Sequence, residues 1–122
     1  MSAWDEEIFS VEANVDFLDE LDSLEEDEIE QAIIDAALLA ANQNPDSVSE
    51  DELLNARAAA TIVAIWAGAP FSAGEVADTY AFIRNRPAQV GEEAAEAAAA
   101  VLEGVEEEEA GASLDQFLEA LA

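Results

Sequence analysis

Cysteine, histidine and lysine are absent from the chain, and arginine occurs only three times, as Arg57, Arg84 and Arg86. Without cysteine there is no disulfide, no thiolate nucleophile and no zinc–thiolate site. Without histidine, cysteine or lysine, a serine, threonine or tyrosine hydroxyl has no customary base beside it, which leaves only carboxylate chemistry open. Three arginines are too few for the basic patch that nucleic acid or an anionic membrane surface requires, so neither is expected as a direct partner. Long apolar runs are missing as well. The most apolar stretch, over 58–67, is about ten residues long against the roughly 20 that a membrane span takes. No basic leader with an apolar centre is recognisable, and a cytoplasmic protein is expected.

What the chain has in excess is acid. Thirty Asp and Glu against three Arg give a formal charge of −27, so the folded surface repels itself and loses stability at low ionic strength. Hydrophobic residues make up 52% and suffice for one core, although much of that fraction is alanine, which buries little area. The larger side chains, Phe9, Phe17, Trp66, Phe82 and Phe117 among them, must supply most of the stabilisation, at about 1.5–3 kcal/mol for each one fully buried. The 122 residues suit a single helical domain over 1–122.

The stretch from Ser49 to Gly68 organises the rest, because its second half, Ala58-Ala59-Ala60-Thr61-Ile62-Val63-Ala64-Ile65-Trp66, has almost no polar face. A helix apolar all round must be buried. Ser49 and Glu52 form a capping box, acids at 50–52 suit the positive end of the helix dipole, and Gly68 and Pro70 supply the stop. A central buried helix over about 50–67 is therefore expected, with the apolar stripes of its neighbours laid against it.

Along the chain, residues 1–9 read as an N-terminal arm that packs back on the domain through Trp4, Ile8 and Phe9. Ser10 caps a helix over 11–22 whose buried face is Val11, Val15, Leu18 and Leu21, widened by Phe17. The sequence Asp16-Phe17-Leu18-Asp19-Glu20-Leu21 that follows the Trp4…Phe9 opening, together with Ala58–Ala64 and Gly68-Ala69-Pro70, resembles a family of small bacterial proteins, the domain-of-unknown-function 4259 family. The resemblance implies a compact helical domain and brings no activity with it. Asp5 and Glu7 stand where that family has glycines, and Ser10-Val11-Glu12 replaces its Asn-Asp element.

Ser23 with Glu26 makes a second capping box, with Asp27 and Glu30 as an alternative start one turn later. The helix behind it, to about Asn42, places Ile29, Ile33, Ala36, Ala37 and Ala40 on one side and Glu28, Gln31 and Asp35 on the other. Asn42 to Asp46 reads as a turn. Ser72 and Glu75 open a helix carrying Val76, Tyr80, Phe82 and Ile83, ended by Pro87. An alanine-rich helix from about Val90 to Glu103 or beyond uses Ala94, Ala95, Ala98, Val101, Leu102 and Val105. The acids Glu106–Glu109 weaken its end, and a tail helix after Ser113 buries Leu114, Phe117, Leu118 and Leu121. The expected fold is all-α, a compact bundle of five to six helices.

Among thirty acids some pair falls at a hydrolase spacing by chance, so paired carboxylates carry no signal, and an enzyme is not expected. No catalytic, cofactor-binding or metal-ligating residue is assigned. Asp19, Glu20, Asp22, Glu25, Glu26, Asp27 and Glu28 attract divalent cations loosely, but the glycine-containing loop of a calcium site is absent. Trp66 and Tyr80 sit at core spacing. Trp4 is either a staple onto the domain or an anchor for a partner. The acids Asp16, Asp19, Glu20, Asp22, Glu25, Glu26, Asp27 and Glu28, with Trp4, form the candidate partner-binding set. Acids three and four apart on a helix lie about 5–6 Å from each other, of the order of phosphate spacing along nucleic acid. Three readings follow. The chain is a non-enzymatic binding module; or, more sharply, an acidic nucleic-acid mimic or immunity-type inhibitor of a basic protein; or its acidity is a general adaptation to concentrated salt. Self-association is left open, with no feature indicating a homo-oligomer.

Overall fold

Apolar residues recur at helical spacing along the chain, and the structure, a computed structural model, turns all but one of the stretches that it describes into a helix. Residues 4–42, 49–68, 78–83, 91–104 and 114–121 are described. In chain order these are α1 (Trp4–Ser10), α2 (Glu12–Asp22), α3 (Glu26–Asn42), α4 (Glu50–Trp66), a 3-10 turn (Ala81–Ile83), α5 (Glu92–Glu103) and α6 (Leu114–Leu121). The fold is all-α, with no strand among the described residues.

Helix α4 is the hub, and it packs against every other element of that series. Every residue from Ala58 to Trp66 is buried; Val63 is 0% exposed and Trp66, at the far end, 6%. The expected central rod is therefore present. Its alanines are part of the reason: Ala56, Ala58, Ala59, Ala60 and Ala64 add little width, so α3 and α5 approach closely and also touch each other. Helices α1 and α2 cover another flank, and α6 lies across α4 and α5. Thr61, buried with the rest, turns its hydroxyl onto the Arg57 carbonyl at 2.8 Å, within its own helix.

Both ends of α4 follow from local chemistry. Ser49 Oγ accepts the Glu52 amide at 3.2 Å, and the first turn carries Glu50, Asp51 and Glu52. At the other end the Ala67 amide returns to Val63 O and Ala64 O, and Gly68 adopts φ +114°, a conformation that side-chain-bearing residues avoid.

Elsewhere several boundaries differ from expectation. The N-terminal arm is itself helical from Trp4 to Ser10, and it buries Ile8 and Phe9 against the bundle. Ser10 does not cap α2, since its hydroxyl donates back to Glu7 O at 2.9 Å; Val11 takes the cap position with no side-chain bond. Because α1 occupies one flank, α2 turns Asn14, Leu18 and Leu21 inward and leaves Val15 38% exposed, where the spacing alone had put Val15 inside. Ser23 turns its hydroxyl back onto Glu20 O at 2.6 Å, and α3 starts beyond it, with the Ile29 amide on Glu25 O. In α3, Ile29, Ile33 and Ala37 are buried, while exposed Gln31 bonds exposed Asp35 at 2.8 Å.

The helix expected through Tyr80 and Ile83 is broken. Residues 78–79 are helical, Tyr80 bends, and Ala81–Ile83 form the 3-10 turn, with the Ile83 amide on Tyr80 O at 3.0 Å. The turn is anchored to the core, where Trp66 Nε1 donates to Phe82 O at 3.2 Å. Helix α5 ends at Glu103 with Gly104 as its cap and buries Ala97 along with Ala94, Ala98, Val101 and Leu102. The turn over 43–46, the Ser72–Glu75 box, Val76, Arg84, Arg86, Pro87, Glu106–Glu109 and Ser113 lie outside the described residues.

Candidate functional site

Helix α2 and the start of α3 carry the predicted acids. Asp16, Asp19, Glu20, Asp22, Glu25 and Glu28 are all exposed, on the same stretch of chain that buries Leu18, Leu21 and Ile29 on its other side. The side chains of Trp4, Glu26 and Asp27 lie outside the described residues. Asp16 and Glu20 stand one turn apart, a pairing of like charges that costs a few tenths of a kcal/mol, so burial rather than surface charge holds α2 in place.

The last turn of α2 gathers three acids of the set within four positions. Asp19, Glu20 and Asp22 sit where the helix dipole is negative, and no basic residue offsets them there. Field and side chains add, and the end of the helix becomes a place where a cation lowers the energy. Asp22 leads into Ser23, Leu24 and Glu25 before α3 begins, so the acids continue across the turn.

One partner of this set was not expected from the sequence. The Tyr80 hydroxyl donates to Asp19 Oδ1 across 61 positions of chain. The tyrosine is half-buried, with its ring 6.0 Å from that of Phe82 and tilted by 49°. The hydrogen bond to Asp19 pushes the phenol up to about 12 from its ordinary 10.0, and partial burial and the charges of Asp19 and Asp22 act in the same direction. Core spacing correctly put Trp66 inside but treated Tyr80 alike, because periodicity cannot show that a hydroxyl reaches a different helix.

A second missed residue is Asn14, buried completely, whose Nδ2 donates to Ile8 O at 2.7 Å and ties α1 to α2. No hydrogen-bond partner meets its Oδ1 among the described residues. As for metals, no group of three or more His, Asp or Glu side chains among the described residues is arranged to hold an ion. None of the described helices is long and apolar enough to cross a membrane.

Fold and surface together define a small all-α domain, built round an enclosed helix and faced with carboxylates. The chain belongs to the family described as a domain of unknown function (DUF4259), which matches residues 2–120. No curated protein and no solved structure matches it.

Proposed function

We propose that the domain is a non-enzymatic binding module whose acid face, centred on the last turn of α2, docks a basic protein. The observation that carries this reading is the placement of Asp16, Asp19, Glu20 and Asp22, all exposed, on one helix whose opposite side is locked into the core. A rigid helix keeps its carboxylates at fixed spacing, which favours recognition of lysine and arginine side chains arrayed on a partner, and the −27 charge steers the encounter from a distance. The absence of histidine, cysteine and lysine supports a role without catalysis. A nucleic-acid mimic or an inhibitor of a basic toxin is the narrower form of the same reading.

Thirty acids without a single lysine also favour a second reading, a skin adapted to concentrated salt with no recognition role. Affinity capture from the native host at low and moderate salt separates the two. The binding module retains a basic protein that salt releases, and neutralising Asp16, Glu20 and Asp22 to Asn or Gln weakens retention. A partner held equally well at all salt concentrations contradicts the electrostatic reading. A domain that binds nothing at low salt and folds fully only near molar salt supports the adaptation reading instead.

A further inference from the structure

The chain between α1 and α2 turns on one residue. Ser10 closes α1, Glu12 opens α2, and Val11 alone stands between them in extended conformation, at φ −64° and ψ 133°. That φ is already helical, so the bend differs from a continuous helix chiefly in a single backbone torsion, the ψ of Val11. The residues around it do not enforce the bend. Phe9-Ser10-Val11-Glu12-Ala13 holds no glycine or proline, and no side chain caps α2 at Val11. With Val11 helical, Trp4 to Asp22 becomes one rod about 28 Å long, and the first amides of α2 gain the carbonyls of a preceding turn.

What bends the chain is tertiary contact. Ile8 and Phe9 are buried, α1 packs on α2 and α4, and Asn14 Nδ2 reaches back to Ile8 O at 2.7 Å. None of these contacts requires that α1 and its seat belong to the same molecule. When two copies straighten at once, each α1 can enter the seat that the other has left, and every contact of α1 with the body is made again across the pair. Those contributions cancel. The helix gained at two hinges favours the pair, while the lost freedom of association and the repulsion between two molecules of charge −27 favour the single chain. Salt screens the repulsion and leaves the hinges as they were.

We infer that α1 is an exchangeable arm hinged at Val11, and that the partner it fits is a second copy of this chain. The seat on α2 and α4 selects that occupant, because its apolar surface and the Asn14 amide are matched to α1 itself. Dilution and low salt keep the arm closed on its own body; concentration and salt shift it to the exchanged dimer. The arm does not depend on the basic partner proposed above.

Light scattering after size exclusion, on the full chain and on two variants at Val11, tests it. Val11→Ala and Val11→Ser trim the side chain to a similar size, but alanine favours a helix through the hinge and serine caps α2 in the bent form. Val11→Ala is expected to self-associate about tenfold or more above Val11→Ser, since a cap is worth a factor of about two to thirty and each dimer contains two hinges. In the native chain the dimer fraction rises with protein concentration and with salt. In dimers mixed from isotope-labelled and unlabelled chains, nuclear Overhauser contacts between the Phe9 ring and methyl groups of the core pass from one chain to the other. That measurement applies to the native protein as well, so it stands whatever the variants do to stability. If both the native chain and a folded Val11→Ala stay monomeric at high concentration in molar salt, the arm is overturned. Equal self-association of the two variants overturns it too, as does a dimer in which the Phe9 contacts remain within one chain.

Discussion

Asn14 shows how one polar side chain decides the seating of a helix. It is enclosed on all sides, and its amide reaches the Ile8 carbonyl near the end of α1, so the short first helix and α2 are joined by a bond made away from water. Asn14→Ala removes the donor, leaves that carbonyl without its partner and opens a small void, at a cost of about 1–3 kcal/mol in unfolding free energy. Chemical denaturation measures it, and a loss no larger than that of an exposed α2 substitution such as Glu12→Ala would contradict the role. Tyr80 offers a second residue-level test, because the chain has no histidine, cysteine or lysine and only one tyrosine. Among its side chains nothing else titrates between the carboxylates and the arginines. The folded phenol is held up at about 12, above the ordinary 10.0, so its contribution to stability is whole below pH 10 and disappears as pH rises through 12. Stability is expected to decline over that interval in the native chain and to stay level in Tyr80→Phe, as read from denaturation midpoints. An equal decline in both would place the cause elsewhere.

At the scale of the element, what was legible in the sequence was whatever local chemistry determines. Ser49, the acids behind it and Gly68 marked the ends of α4 without reference to any neighbour, and Ala58–Trp66 declared their burial by having no side for water. What depended on tertiary contact was not legible. Ser10 and Ser23 have the right residues near them for capping, yet each spends its hydroxyl on the helix it ends. Val15 faces out and Asn14 in because α1 lies against α2, and the chain bends at Tyr80 before a 3-10 turn whose Phe82 carbonyl meets the Trp66 indole. Of the candidate site, the exposed acids could be read one by one, but not the Tyr80 bond that selects Asp19 among them. The glycines at helix ends differ in a way that can be measured. A Cβ at Gly68 meets no atom of the described residues within 4 Å, so the cost of Gly68→Ala is set by the backbone conformation, about 1–2 kcal/mol at φ +114°. Gly91, also open, has φ −67° and caps α5 without a side chain, so Gly91→Ser gains a few tenths of a kcal/mol. Thermal unfolding of the two variants should shift in opposite directions, and a stabilising Gly68→Ala would refute the conformational account of that stop.

The whole molecule is a compromise between one well-enclosed helix and a surface that repels itself. Thirty acids in the chain, and no basic residue in the last turn of any described helix, leave the burial of apolar side chains to hold the bundle against its own charge. The load falls on the surfaces that α3 and α5 share with α4, and on Phe9, Leu18, Phe117 and Trp66 around them. If α4 is shielded on every side, its amides from Ala59 to Ile65 cannot reach water until the bundle comes apart. Native-state hydrogen exchange in increasing denaturant is therefore the decisive measurement. The account predicts that these amides open only with the free energy and denaturant sensitivity of global unfolding, level with or above the slowest amides of α3 and α5. Exchange of the same amides by a local opening well below the global value, with α3 and α5 still protected, would contradict it.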